Sequence, residues 1–321
     1  MLALSKPLPL RVSGSPGTAK QIRNLQTVLE HMGRIDSLTI SASAEDLANL
    51  PLRAPAPTLK ELYLFNESRT TIHPLSPDSF SGETLHLRVV YLIRCAPEWI
   101  HPTFLSNLVK LHISFGPNDI DARPPMDHMI GILLGCPLLE VLQLYHSVPN
   151  LTPVARPPRV RDTSTTVSLP NLAELLLIGL LRDCAALMGR LVYPRTAALT
   201  LGCTFCTFNN LPEILSHVTS HYGSDSVIPL RALSVIIGSD PREHRACAIT
   251  GWSNLISDRI PVHAPAQVDV WLSGDELLAS SNASRVLTLL INTINRSQLQ
   301  AIRLYEMSEI SVDDIRKYPF R

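Results

Sequence analysis

The chain has 321 residues, with 28 basic and 28 acidic side chains for a formal charge of zero, and 17% charged residues beside 45% hydrophobic ones. That balance excludes a disordered polar chain and lacks the basic footprint of a nucleic-acid binder, so no nucleic-acid partner is expected. No apolar run approaches the roughly 18 residues of a membrane span, so no membrane partner is expected either, and six cysteines are too sparse for a disulfide scaffold.

The opening residues, interrupted by Lys6, Pro7 and Pro9, lack the continuous apolar stretch of a signal peptide, which points to a cytoplasmic or nuclear setting. Sequons at Asn66, Asn150, Asn282 and Asn295 are then expected to stay unmodified. Residues 18–33 place Ile22, Leu25, Val28, Leu29 and Met32 on one helical stripe. After them the phrase L-x-x-L-x-L begins to recur. Clear copies are Leu59/Leu62/Leu64, Leu87/Val90/Leu92, Leu108/Leu111/Ile113, Leu139/Leu142/Leu144 and Leu172/Leu175/Leu177. Degenerate copies are Ile35/Leu38/Ile40 before them and Leu199/Leu201, Leu230/Leu233/Val235, Val268/Val270/Leu272 and Leu299/Ile302/Leu304 after. First and last copies start at residues 35 and 299, nine steps apart, a mean period of about 29 residues at the upper end of the leucine-rich range.

Each phrase reads as a short strand, because alternate residues of an extended chain point to opposite faces and send the leucines to one side. Further helices are expected over 127–134, 182–191, 211–220, 252–259 and 283–294, with a final capping helix over 311–320. Strand followed by helix, repeated about ten times, predicts one α/β domain over 1–321: an irregular leucine-rich repeat solenoid, or horseshoe, with a parallel concave sheet and convex helices. Residues 115–125 and 147–167 are too polar and proline-rich for core and are expected to be loop insertions. Regular horseshoes carry Asn or Cys three residues after the third leucine, where it satisfies turn backbone groups. Only Cys95 falls there, the equivalents being Glu67, Gly116, Ser147, Leu180 and Thr204, so uneven turns are expected.

The phrases LSNLVKL at 105–111, LLGCPLLEVLQL at 133–144 and LPNLAELLLIGLLRDCAALMGRLVYP at 169–194, preceded by Trp99, occur in an order and spacing that resembles the leucine-rich repeat region of the F-box-like protein family of mushroom-forming fungi. The opening, with PLPLRV before a helix and RIDSLTI after it, is similar to the stretch just downstream of the F-box in that family. The resemblance implies a substrate-recognition role in a cullin-RING ubiquitin ligase. The F-box phrases themselves are absent from this chain, so a Skp-type adaptor is an expected partner only if an F-box exists upstream. The alternative is a free-standing repeat scaffold unconnected with ubiquitin.

No residue set suggests catalysis or a cofactor. Cys203 and Cys206 form one C-x-x-C without the second pair a zinc site needs, and read as buried thiols beside a turn. Asp119, Asp121 and Asp127 lack the glycine and distal glutamate of a calcium loop and read as solvated. Gly14-Ser15-Pro16-Gly17 has the wrong spacing for a nucleophile elbow. Arg156, Arg159 and Arg161 offer a docking point for an acidic or phosphorylated partner, against the plainer reading of a solvated loop. What remains is the outward row of the sheet: Thr39, Tyr63, Tyr91, His112, Gln143, Leu176, Thr200, Ser234, Asp269 or Trp271, and Arg303. Tyr63, Phe65, Tyr91, His112, Gln143, Tyr145, Trp271 and Arg303 are the candidate residues for binding a protein or peptide, since aromatic and arginine side chains are enriched at interface hot spots.

Overall fold

A computed structural model describes residues 8–82, 84–100, 103–151, 165–207, 209–222, 232–240, 245–252, 268–273, 289 and 301–306. The chain divides into two compact units, 1–172 and 173–321.

The first unit opens with β1 (Leu10–Gly14), α1 (Ala19–Leu29), β2 (Ile35–Ala42) and the short α2 (Ala44–Ala48). Both helices start on a side-chain cap: Thr18 Oγ1 accepts from Gln21 N at 3.3 Å, and Ser43 Oγ from Asp46 N at 3.1 Å. There follow β3 (Glu61–Asn66), β4 (His73–Pro74), β5 (Val89–Ile93), β6 (Cys95–Ala96), β7 (Lys110–Ser114), α3 (Met126–Leu134), β8 (Val141–Tyr145) and β9 (Val167–Ser168). Strands β1, β2, β3, β5, β7 and β8 form a parallel sheet in sequence order, each paired with the next. The register is the one the phrases demand: Leu38, Leu62, Val90, Leu111 and Leu142 are laddered partners, as are Ile40, Leu64, Leu92, Ile113 and Leu144. All ten are fully buried, each contributing on the order of 1.5–3 kcal/mol through the apolar surface removed from water.

Behind the sheet the connectors depart from the strand-and-helix unit expected. Between β3 and β5 the chain forms no α-helix among the described residues. It uses extended β4, paired in parallel with β6, and a tight turn at Ser79–Gly82. Phe80 in that turn meets Phe104 edge to face at 5.9 Å, and both are buried. This aromatic pair ties the two short turns together within the core. The two segments read as polar loops are anchored by apolar ends: Phe115, Val148 and Val167 are buried, and Pro125 bridges Asn150. Residues 152–164, with Arg156, Arg159 and Arg161, lie outside the described residues.

The second unit comprises β10 (Glu174–Leu180), α4 (Leu181–Met188), β11 (Leu191–Val192), β12 (Ala198–Thr204), α5 (Leu211–Tyr222), β13 (Ala232–Asp240), β14 (Arg245–Trp252), β15 (Val268–Leu272) and β16 (Ala301–Glu306). Helices α4 and α5 pack together. Here the expected succession of ribs fails. Strand β12 pairs in parallel with β15, not with β13, and β14 lies antiparallel between β15 and β13. Strand β13 in turn pairs in parallel with β16. The helix expected over 252–259 is corrected at its first residue, since Trp252 ends strand β14; residues 253–259 lie outside the described residues, as do the helices expected over 283–294, apart from Leu289, and over 311–320. The fold is α/β with mostly parallel strands in each unit.

Candidate functional site

Parallel pairing fixes which outward residues become neighbours. Thr39, Tyr63, Tyr91, His112 and Gln143 are consecutive ladder partners across β2, β3, β5, β7 and β8. The row above holds Ser41, Phe65 and Ile93, and Ser114 with Tyr145; the row below holds Ser37, Glu61, Val89, Lys110 and Val141. Neighbouring strands lie about 4.8 Å apart, close to the stacking distance of flat rings, so side chains of this kind in one row stack. Tyr63 and Tyr91 have ring centroids 5.0 Å apart at 24°, Tyr91 and His112 4.8 Å apart at 15°, and His112 and Tyr145 5.1 Å apart at 39°. His112 Nδ1 donates to Gln143 Oε1 at 2.7 Å, which sets the imidazole's orientation at the end of the stack.

The four rings are half-buried. Burial, then the nearby Glu61 carboxylate, raises the Tyr63 phenol above its ordinary value, so the hydroxyl stays protonated and available as a donor. Small hydroxyl side chains cover the neighbouring strand: Ser37 donates to Glu61 Oε2 at 3.0 Å and Ser41 to Glu67 Oε1 at 2.6 Å. The surface steps from a low hydroxyl floor on β2 to an aromatic ridge on β3, β5 and β7. Such a ridge is ordered by its own stacking.

The other candidates fall in the second unit. Trp271 is half-buried and laddered with Gly202, and a Cβ at position 202 would collide with the indole. The missing side chain lets Trp271 lie across β12. Asp269, not Trp271, shares the row of Leu176 and Thr200, and accepts from Thr250 Oγ1 at 3.0 Å. Thr250 sits on β14, the strand absent from the repeat pattern, and so escaped the sequence reading. Arg303 lies on β16 in register with Ser234; the side chains of both lie outside the described residues.

Several residues hold this scaffold in ways the repeat spacing hides. Asn66, buried at the end of β3, donates to the carbonyls of Thr71 at 2.8 Å and Arg94 at 3.1 Å and accepts from Ser68 N at 3.0 Å. It performs the turn-satisfying task one position earlier than the repeat rule places it. Ser147, at the expected position, donates to Ile113 O at 2.8 Å, and Thr204 to Gly179 O at 3.2 Å. Asp119, read above as solvated, instead pairs with Arg94 at 2.9 Å and accepts from Gly116 N at 2.7 Å. Cys203 and Cys206 are buried. A hydrogen bond with Cys184, then burial, pushes the Cys203 thiol well up, and burial pushes Cys206 up to about 12. These are unreactive thiols at neutral pH.

No protein-family model, no curated protein and no solved structure matches the chain. No helix among the described residues is long and apolar enough to cross a membrane.

Proposed function

We propose that the chain is a non-catalytic protein-binding module, an irregular leucine-rich repeat solenoid whose outward sheet face captures a protein or peptide, and that it serves as the substrate-recognition part of an F-box-type ubiquitin-ligase receptor in the cytoplasm or nucleus. The observation that carries the binding reading is the stack Tyr63–Tyr91–His112 with Tyr145 tilted against its end: four flat, amphipathic rings on one sheet face, beside a floor of serine and threonine hydroxyls. Tyrosine in such a setting gives large contact area at small entropy cost, which is why it recurs among interface anchors. The receptor reading rests in addition on the resemblance of the 105–111, 133–144 and 169–194 phrases to the fungal F-box-like proteins.

The test pairs Tyr63→Ala with Tyr91→Ala in one variant. Its circular dichroism spectrum is expected to match that of the parent, because both side chains lie outside the leucine core, while partner capture falls on the order of 30-fold or more, as removal of a hot-spot anchor costs about 2 kcal/mol or more. Undiminished capture moves the binding surface elsewhere. The ubiquitin-ligase assignment is tested separately by the reading frame upstream of Met1: an F-box there, with Skp-type adaptor binding by the longer chain, supports the receptor; its absence leaves a free-standing scaffold.

A further inference from the structure

In the first unit, away from the aromatic row, a cavity of about 900 Å³ opens between α2, the β4–β6 pair and the turn at Ile120–Ala122. Its apolar lining comes from Leu47, Leu50, Leu52 and Leu75, all buried. Trp99 forms a fixed wall: its Nε1 donates to Ala122 O at 3.1 Å and its ring meets Phe115 edge to face at 6.5 Å. His73, only 6% exposed, also lines the cavity, as does the buried Ser79. A ring N–H of His73 bonds the Ala44 backbone, and burial outweighs that bond to lower its pKa, so the imidazole is neutral at neutral pH. Its second ring nitrogen is then an acceptor.

The charges around the cavity have a direction. Glu45 follows Ala44 directly, and Glu98 follows the β6 strand whose Cys95 is the ladder partner of His73. Glu45 and Glu98 line the cavity together with His73. Asp121 adds a third carboxylate, and Arg53, beyond Leu52, is the one guanidinium among the lining residues. The three carboxylates are exposed and have no ion pair among the described residues. A neutral imidazole acceptor with carboxylates nearby matches the three N–H donors of a primary ammonium, and the leucines beyond match an apolar body.

We infer that this cavity binds a small cationic amphiphile, a primary amine on an apolar chain or ring system, with the ammonium toward His73, Glu45 and Glu98 and the apolar body against Leu47, Leu50, Leu52, Leu75 and Trp99. This does not depend on the protein-binding face. The test titrates the full chain, labelled with ¹⁵N at histidine, with n-octylammonium, n-octanol and n-octanoate at neutral pH, reading calorimetric heats and the His73 ring resonances. The expected result is saturable one-to-one binding of n-octylammonium that shifts the His73 resonances and is on the order of tenfold tighter than n-octanoate, with n-octanol between. A Glu45→Gln, Glu98→Gln, Asp121→Asn variant, altered only at exposed positions, is expected to bring the three probes within about twofold of one another. His73→Phe is expected to weaken the amine by about fivefold or more; if that variant fails to fold, the resonance shifts and the carboxylate variant decide. Absence of saturable amine binding, n-octanoate binding as tightly as n-octylammonium, unmoved His73 resonances at saturation, or an amine preference that survives the triple variant would each overturn the assignment.

Discussion

Leu142 shows how little freedom the core positions have. It is fully buried, with Leu111 beside it on the neighbouring strand, and Leu142→Ala is expected to lower stability by about 2–5 kcal/mol in chemical denaturation, lost transfer energy and the residual cavity adding together. An unchanged midpoint would place the residue outside the core. Histidine burial sets a pH limit on the same scale. Burial lowers the pKa of His73 and His217 below the ordinary 6.5; the folded state therefore holds fewer protons than the unfolded chain, and their contribution is present above about pH 6.5 and lost as pH falls below it. Thermal melts between neutral and mildly acidic pH should show this decline, with a shallower slope in His73→Asn. The core was legible because each buried apolar position is marked by its own residue type. Asn66 and the Arg94–Asp119 pair were not, because partners 28 and 25 residues apart leave no trace in local spacing.

At the scale of elements, the strands that repeat the leucine phrase could be read from the sequence and the ones that do not repeat it could not. Strand β14, with Ala246, Cys247, Ala248 and Gly251, offers small side chains instead of a leucine stripe, and no period announces it. Its insertion separates β15 from β13 and ends the one-after-another pairing seen from β1 to β8. The helices expected over 127–134, 182–191 and 211–220 are present as α3, α4 and α5, whereas between β3 and β7 short turns carrying the buried Phe80 and Phe104 stand where the general strand-and-helix unit would put helices. One contact between elements has a sharp consequence. Gly202 makes room for Trp271 on the adjacent strand, so Gly202→Val is expected to displace the indole and destabilise the unit by about 1–3 kcal/mol through overpacking. Tryptophan fluorescence should shift to the red in this variant; an unchanged spectrum and melt would mean that the indole does not occupy the space over Gly202.

For the whole molecule, zero net charge and a low charged fraction mean that the proposed recognition would rest on shape and aromatic surface, not on long-range electrostatics. The row Thr39, Tyr63, Tyr91, His112, Gln143 could be written down from the sequence because a period-two face and a repeated phrase together fix a register. Its stacking could not, since ring planes follow from side-chain rotamers. The proposed role requires these five positions to stand side by side on adjacent strands. Pulsed electron spin resonance measures this directly in a chain carrying spin labels at Thr39→Cys and Gln143→Cys, with Cys247→Ser and with the buried native thiols Cys95, Cys136, Cys184, Cys203 and Cys206 left in place. Four strand steps of about 4.8 Å separate the two backbones by roughly 19 Å, and a single narrow distribution on the order of 20–25 Å between labels is expected. A broad distribution, or one centred beyond about 40 Å, where strands stepped at 4.8 Å cannot place the labels, would contradict the shared row and the docking face built on it.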